Sequence, residues 1–116
     1  MPFYQPLRGD DSFTAVFRRG RRQDGSFIAV RALPNERPEI RVGFNIAKKM
    51  GGAVDRNRVR RRLRHILKQL DPVAGYDLVL IANQRTRSAP YSQLKSETES
   101  LLRAAGVTLQ GSDFAS

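Results

Sequence analysis

Apolar residues recur along this chain in two rhythms, and the rhythms divide it into elements. From Arg56 to Leu70, Val59, Leu63, Ile66, Leu67 and Leu70 form one stripe on the period of an α-helix. The stripe predicts a helix over 56–70, with Asp55 as N-cap and Asp71-Pro72 closing the far end. A shorter stripe, Phe13, Val16 and Phe17, follows Asp10-Asp11-Ser12 and precedes Gly20, which predicts a two-turn helix with carboxylates at its N-terminus. A last helix is expected after Ser92, with Leu94, Thr98, Leu101, Leu102 and Ala105 on its apolar side and Gly106 as its stop.

The other rhythm is that of strands. Ser26–Leu33 and Glu39–Ile46 are rich in β-branched and aromatic residues, and the Pro34–Pro38 segment between them is turn chemistry, so a β-hairpin with a five-residue loop is expected. In the second strand Ile40, Val42, Phe44 and Ile46 alternate with Arg41, Gly43 and Asn45, giving one core face and one polar face. The polar face is a candidate wall of a groove. Tyr76–Ala82 is a continuous apolar run, the mark of a central, well-buried strand, and Asn83–Pro90 reads as a polar loop carrying Arg85 and Arg87. The order is α-β-β-α-β-α in one domain, an α+β fold drawn as a two-layer sandwich of helices on one sheet. Its folded part is expected over about residues 8–106, with 1–7 and 107–116 extended or frayed.

Charge changes this picture of an ordinary small fold. Lys48–Lys68 holds nine Lys or Arg and one acid, a local charge of +8, whereas the whole chain of 116 residues is +10. The remaining residues carry twelve bases against ten acids, so the excess is concentrated in one place. Asn57, Arg61, Arg64 and Lys68 lie opposite the apolar stripe, with Arg60 and Arg62 on its flanks. Surface helices usually mix signs for i,i+4 pairing; this one has almost no acid to pair with, so a polyanion is the expected complement. Gly51-Gly52 leads into the helix and allows close approach of a phosphate, but neither nucleotide-loop pattern of glycines is present.

Other chemistries are poorly supplied. There is no cysteine and only one histidine, His65, which excludes disulfides and thiolate metal sites and leaves no His cluster. Asp10-Asp11 are explained by helix capping, and no second acid cluster accompanies them. No catalytic residue and no protein-held metal site is expected. No apolar run is long enough to span a membrane, and the N-terminus does not read as a signal peptide, so a cytoplasmic location is expected. Phe13 and Phe17 share a face and fit either a core pair or a stacking surface for unpaired bases.

The run GFNIAKKMGGAVDRNRVRRRLRHIL resembles the signature of the bacterial ribonuclease P protein component family, in which a Lys-Lys-x-Gly-x-Ala-Val lead precedes an Arg-Asn-Arg motif, here Arg56-Asn57-Arg58. The resemblance extends from Phe13 to Ala105. It implies the fold of the C-terminal domain of a small-subunit ribosomal protein and of domain IV of elongation factor G, with a left-handed β-α-β crossover through the basic helix. It also implies a protein subunit that binds a catalytic RNA and the 5′ leader of precursor tRNA, with Mg²⁺ held mainly by the RNA and substrate, and one protein per RNA. Carried over by position, Lys48, Lys49, Arg58, Arg61, Arg62, Arg64 and Lys68 are expected on the RNA subunit, and Phe13, Phe17, Phe27, Arg56, Asn57 and Arg60 on the leader. Val30 stands where relatives often place a cleft tyrosine. Asn45 and Ala47 replace common serines, and Asp55 and His65 also depart from the usual pattern. A non-catalytic ribosomal or RNA-assembly protein of the same fold is the alternative; a DNA-binding regulator lacks a helix-turn-helix pair.

Overall fold

The computed structural model describes residues 4–111. The elements are β1 (Gln5–Pro6), α1 (Asp10–Arg19), β2 (Arg21–Asp24), β3 (Ile28–Pro34), β4 (Arg41–Ile46), a 3-10 turn (Lys48–Met50), α2 (Ala53–Leu70), β5 (Tyr76–Ala82), α3 (Gln84–Ser88) and α4 (Tyr91–Ala104). All six expected elements are present. β1, β2 and α3 are additions.

The five strands form one sheet in the order β1-β4-β5-β3-β2. The expected hairpin between β3 and β4 is therefore not formed, because β5 lies between them, parallel to β4 and antiparallel to β3. The apolar run of β5 is the reason: a strand buried on both faces must also satisfy both of its hydrogen-bonding edges inside the sheet. The Pro34–Pro38 turn carries the chain past the start of β5 instead. There Asn35 N donates to the Gly75 carbonyl at 2.9 Å and Gly75 N to the Glu39 carbonyl at 3.0 Å. The true hairpin partner of β3 is β2, whose polar sequence Arg-Arg-Gln-Asp carries no strand pattern and which pairs only along one edge.

The larger core lies on one face of the sheet. Ile28, Val30, Ala32, Val42, Leu78 and Leu80 of the strands meet Leu63, Ile66, Leu67 and Leu70 of α2 and Leu94 and Leu102 of α4. α1 packs on the opposite face, where Val16 joins Leu7 and Val79, and Phe13, Phe17, Leu33 and Ile81 are only partly covered. The two-layer description thus fits the α2–α4 side, and α1 adds a short third layer.

Helix α2 begins at Ala53, three residues before the expected start, with Gly52 at the N-cap and no side-chain cap. Asp55 sits inside the first turn and pairs with Arg87 at 3.5 Å. The far end closes as expected, with Asp71 in the left-handed region at φ 48°. Residues 107–111, expected to fray, are fastened. Val73 N donates to the Thr108 carbonyl, Gln110 N to that of Asp71 and Gly111 N to that of Leu70, while Val107 and Leu109 are buried. At the other end Leu7 is buried and β1 runs parallel to β4. The parts of the expected tails at 1–3 and 112–116 lie outside the described residues.

One ion pair stands inside the sheet. Arg41 donates from Nε and Nη2 to the Asp77 carboxylate at 2.8 and 2.6 Å, and Asn35 Nδ2 adds a third bond at 2.8 Å. Burial pushes the Asp77 carboxyl up, but the bonds from Arg41 and Asn35 and the nearby guanidinium charges outweigh it and hold it below the usual carboxylate range. Among the described residues no helix is long and apolar enough to cross a membrane.

Candidate nucleic-acid interface

The stripe of α2 does what its periodicity requires: Val59, Leu63, Ile66, Leu67 and Leu70 are all buried. The opposite side of the same rod is therefore turned to solvent. Asn57, Arg58, Arg61, Arg64, His65 and Lys68 are exposed there, with Arg56, Arg60 and Arg62 half-buried along its margins. Arg60 Nη1 bonds Asn57 Oδ1 at 2.9 Å, which fixes both side chains near the start of the helix. The guanidinium of Arg64 lies 5.9 Å from the centre of the Phe44 ring, within cation–π range. The one acid of the basic segment, Asp55, is engaged with Arg87.

Arg62 departs from expectation. Its Nη2 donates to the Ala89 carbonyl at 2.5 Å and its Nη1 reaches the Thr86 carbonyl at 3.5 Å, so it caps α3 instead of joining the open cationic face. A helix of five residues cannot satisfy its own last carbonyls, and Arg62 supplies the missing donors. α3 in turn holds the lysine turn. Gln84 Nε2 donates to the Lys49 carbonyl at 3.1 Å, and Arg87 Nη1 to that of Met50 at 3.1 Å, leaving Lys48 and Lys49 exposed on a fixed backbone. No periodic pattern announces α3, because five residues are too few to show one.

A groove lies on the other face of the sheet, beside α1. Paired strand positions share a face, so three rows can be read from the register. The first is Arg41, Asp77 and Leu33; the second Gly43, Val79, Arg31 and Arg22; the third Asn45, Ile81, Ala29 and Asp24. α1 covers part of this surface. Phe13 lies on Gly43, where a methyl group would overlap the ring, and Phe17 lies beside Arg31. The third row is left partly open, with Asn45 exposed and Ile81 and Ala29 half-buried. Phe13 and Phe17 are themselves half-buried: each packs one side on the small core and keeps part of its surface accessible.

Arg31 is the residue that sequence reasoning missed. Its guanidinium stands 4.8 Å from the centre of the Phe17 ring, its Nη1 bonds the Phe17 carbonyl at 2.8 Å, and its Nε is buried without a partner among the described residues. Val30, the expected cleft position, is instead fully buried on the α2–α4 side. The alternation of β3 contains this answer, since Ile28, Val30 and Ala32 share one face and Arg31 must take the other. Phe27 also lies away from Phe13 and Phe17. It packs against the larger core; its N–H donates to Glu97 at 2.8 Å and its carbonyl accepts from Thr86 Oγ1. Among the described residues no group of three or more His, Cys, Asp or Glu converges on a point that could hold a metal ion.

An α+β domain with a carboxylate-poor cationic helix on one side and a half-open aromatic groove on the other belongs, by its fold, with the protein components of bacterial ribonuclease P. The Staphylococcus aureus RNase P protein superposes with a TM-score of 0.76 at 25% identity, over 86% of this chain and 94% of that one. The RNase P protein from Thermotoga maritima superposes with a TM-score of 0.75, at 23% identity, over 86% of this chain and 96% of that one. The family model for ribonuclease P matches residues 1–106. The ribonuclease P protein component of Roseiflexus castenholzii is 39% identical over 104 residues, covering 87% of this chain and 85% of that protein. That of Streptococcus mutans is 34% identical over 107 residues, covering 91% and 90%. The chain belongs to the ribonuclease P protein component family. Membership makes it a subunit of the ribonuclease P endoribonuclease, a tRNA-processing ribonucleoprotein, with ribonuclease P RNA as its partner.

Proposed function

We propose that the exposed side of α2, with Lys48 and Lys49, docks the RNA subunit, and that the groove between α1 and the sheet holds the 5′ leader of precursor tRNA. The observation that carries this reading is the pairing of a cationic face with half-exposed aromatics: Arg58, Arg61, Arg64 and Lys68 are open on α2, and Phe13 and Phe17 flank an uncovered strip of sheet. Cations neutralise phosphates, whereas aromatic faces accept unpaired bases of any identity. Arg56, Asn57 and Arg60, at the start of α2, are assigned to the leader. Phe27 is the weakest member of that set, since it lies apart from the other two rings.

In this reading the RNA subunit performs the cleavage and the protein contributes binding and orientation. Mg²⁺ is held mainly by the RNA and substrate, where it supplies charge stabilisation at the scissile phosphate. Neutralising RNA phosphates next to that site lowers the concentration of Mg²⁺ the ribozyme needs. One protein acts per RNA, in the cytoplasm, without a membrane.

The test is cleavage of precursor tRNA by the RNA subunit at low Mg²⁺, with and without the protein. Strong stimulation is expected with a leader-bearing substrate. An RNA-assembly protein of the same fold would bind the RNA and leave the cleavage rate unchanged. If about six phosphates are engaged, affinity falls with salt at a log–log slope of roughly −4 to −5; a slope near zero removes α2 as the docking surface.

A further inference from the structure

Four arginines cluster around Gly20, and of these only Arg22 has been placed above, at the β2 end of the second row of the groove face. α1 ends at Arg19, the chain reverses at Gly20, and β2 starts at Arg21. A methyl group at Gly20 would overlap the Val16 carbonyl, so glycine is what permits a turn this tight. The result is Arg18, Arg19, Arg21 and Arg22 exposed together. Asp24 engages Arg22 Nε at 2.9 Å, while Arg18, Arg19 and Arg21 make no ion pair among the described residues. Arg21 pairs with Ala32 and so faces the α4 side, where it lines a basin of about 350 Å³ with Arg19, Tyr76 and Gly106.

Two ordinary explanations cover part of this. Basic residues in the last turn complement the dipole of α1, and a charged edge strand resists pairing with another sheet. Neither accounts for the register. Arg22 stands directly opposite Arg31, and like charges in that position repel. Both are on the groove face, and Arg31 is already stacked on Phe17. The open row from Asn45 through Ile81 and Ala29 to Asp24 crosses three strand spacings, about 14 Å. A single strand lying along it leaves the groove at the β2 edge, where Arg22 holds Asp24. The opposite part of the sheet, at β4, is where α2 packs, so a leader coming from the RNA subunit meets Phe13 and Phe17 first and the arginine turn last.

We propose that Arg22, on the groove face, and Arg18, next in sequence to Phe17, bind backbone phosphates of the leader upstream of the nucleotides seated against Phe13 and Phe17. This rests on the leader reading above. The turn then reads leader length without reading sequence, since phosphate contacts carry no base information.

The experiment uses the holoenzyme assembled with Arg18→Ala/Arg22→Ala, and three substrates: mature tRNA, a precursor whose leader only crosses the groove, and one whose leader extends well past it. With the unaltered protein, extension is expected to tighten binding several-fold. The variant loses that gain, its salt slope on the long leader is shallower by about 1.5, and its binding of the other two RNAs is unchanged. Lysines at the same two positions restore most of the gain, which separates charge from folding. Retention of the extension gain by the variant would overturn this inference alone. Equal loss on all three RNAs would also overturn it, placing the cluster on the RNA subunit, as would self-association without any change in binding. If the unaltered protein does not separate the short-leader precursor from mature tRNA, the leader reading fails, and this inference with it.

Discussion

The two faces of the sheet are built to different degrees of closure. On the α2–α4 side, Leu63, Ile66, Leu67, Leu70, Leu78, Leu80, Leu94 and Leu102 are fully out of water. On the α1 side the small cluster of buried apolar side chains is Leu7, Val16 and Val79, and Phe13, Phe17, Leu33 and Ile81 around them remain half-covered. Folding free energy scales with apolar area removed from water, so the first face carries most of the stability. The second is thereby free to stay incompletely packed. A groove that accepts bases has to leave apolar surface wet in the free protein, and a fold with one strong core tolerates this.

The sharpest way to break the comparison is to cut equivalent amounts from each side. Leu63→Ala removes a fully buried side chain from the larger core, and a loss of about 2–5 kcal/mol is expected in denaturant unfolding. A loss under about 1 kcal/mol would show that this core is not where the stability resides.

The ion pair at the groove face comes next. Arg41→Ala leaves the buried Asp77 carboxylate with Asn35 as its remaining side-chain donor, and about 3 kcal/mol is expected to be lost. The pH dependence follows in sign. The folded-state pKa of Asp77 is depressed, so its contribution is complete above the unfolded value near 4 and disappears as pH falls through the lower folded value. Acid unfolding below about pH 4 should therefore be less steep for Asp77→Asn than for the parent protein; equal slopes would mean that the pair is not linked to folding.

The smallest effect on stability is expected at Phe17. Phe17→Ala removes a half-exposed ring, costing about 1 kcal/mol in unfolding but a comparable or larger amount, about 1–3 kcal/mol, in leader binding. Binding of mature tRNA should change little. Equal losses on both RNAs would return Phe17 to a purely structural role and make the two faces of the sheet alike.

How much of this was legible beforehand differs from element to element. Phe13 and Phe17 were visible as a pair, but nothing in the sequence placed Gly43 beneath one and Arg31 beside the other. The α1 groove depends on contacts between segments far apart in the chain, and only the pairing of β3, β5 and β4 brings them together. Arg62 looked like any other cation of α2, because its position on the flank of the stripe allows either solvent or a neighbour, and the neighbour was the unforeseen α3.

The amino-acid order by itself determined α2: a run whose apolar positions repeat with the helical period and whose remaining positions are nearly all cations has one way to bury the first set. It likewise determined β5 as an inner strand and α4 as a covering helix, since each carries enough periodic or continuous apolar sequence to declare its environment. Tertiary structure decided the strand order, the existence of β2 and α3, the fastening of residues 107–111, and the partners of Arg31, Arg41 and Arg62. The physical reason is range. Periodicity records which side of a segment is buried, but which segment buries it is settled by matching of faces and hydrogen-bonding edges across the whole chain, and short elements exist only where that matching supports them.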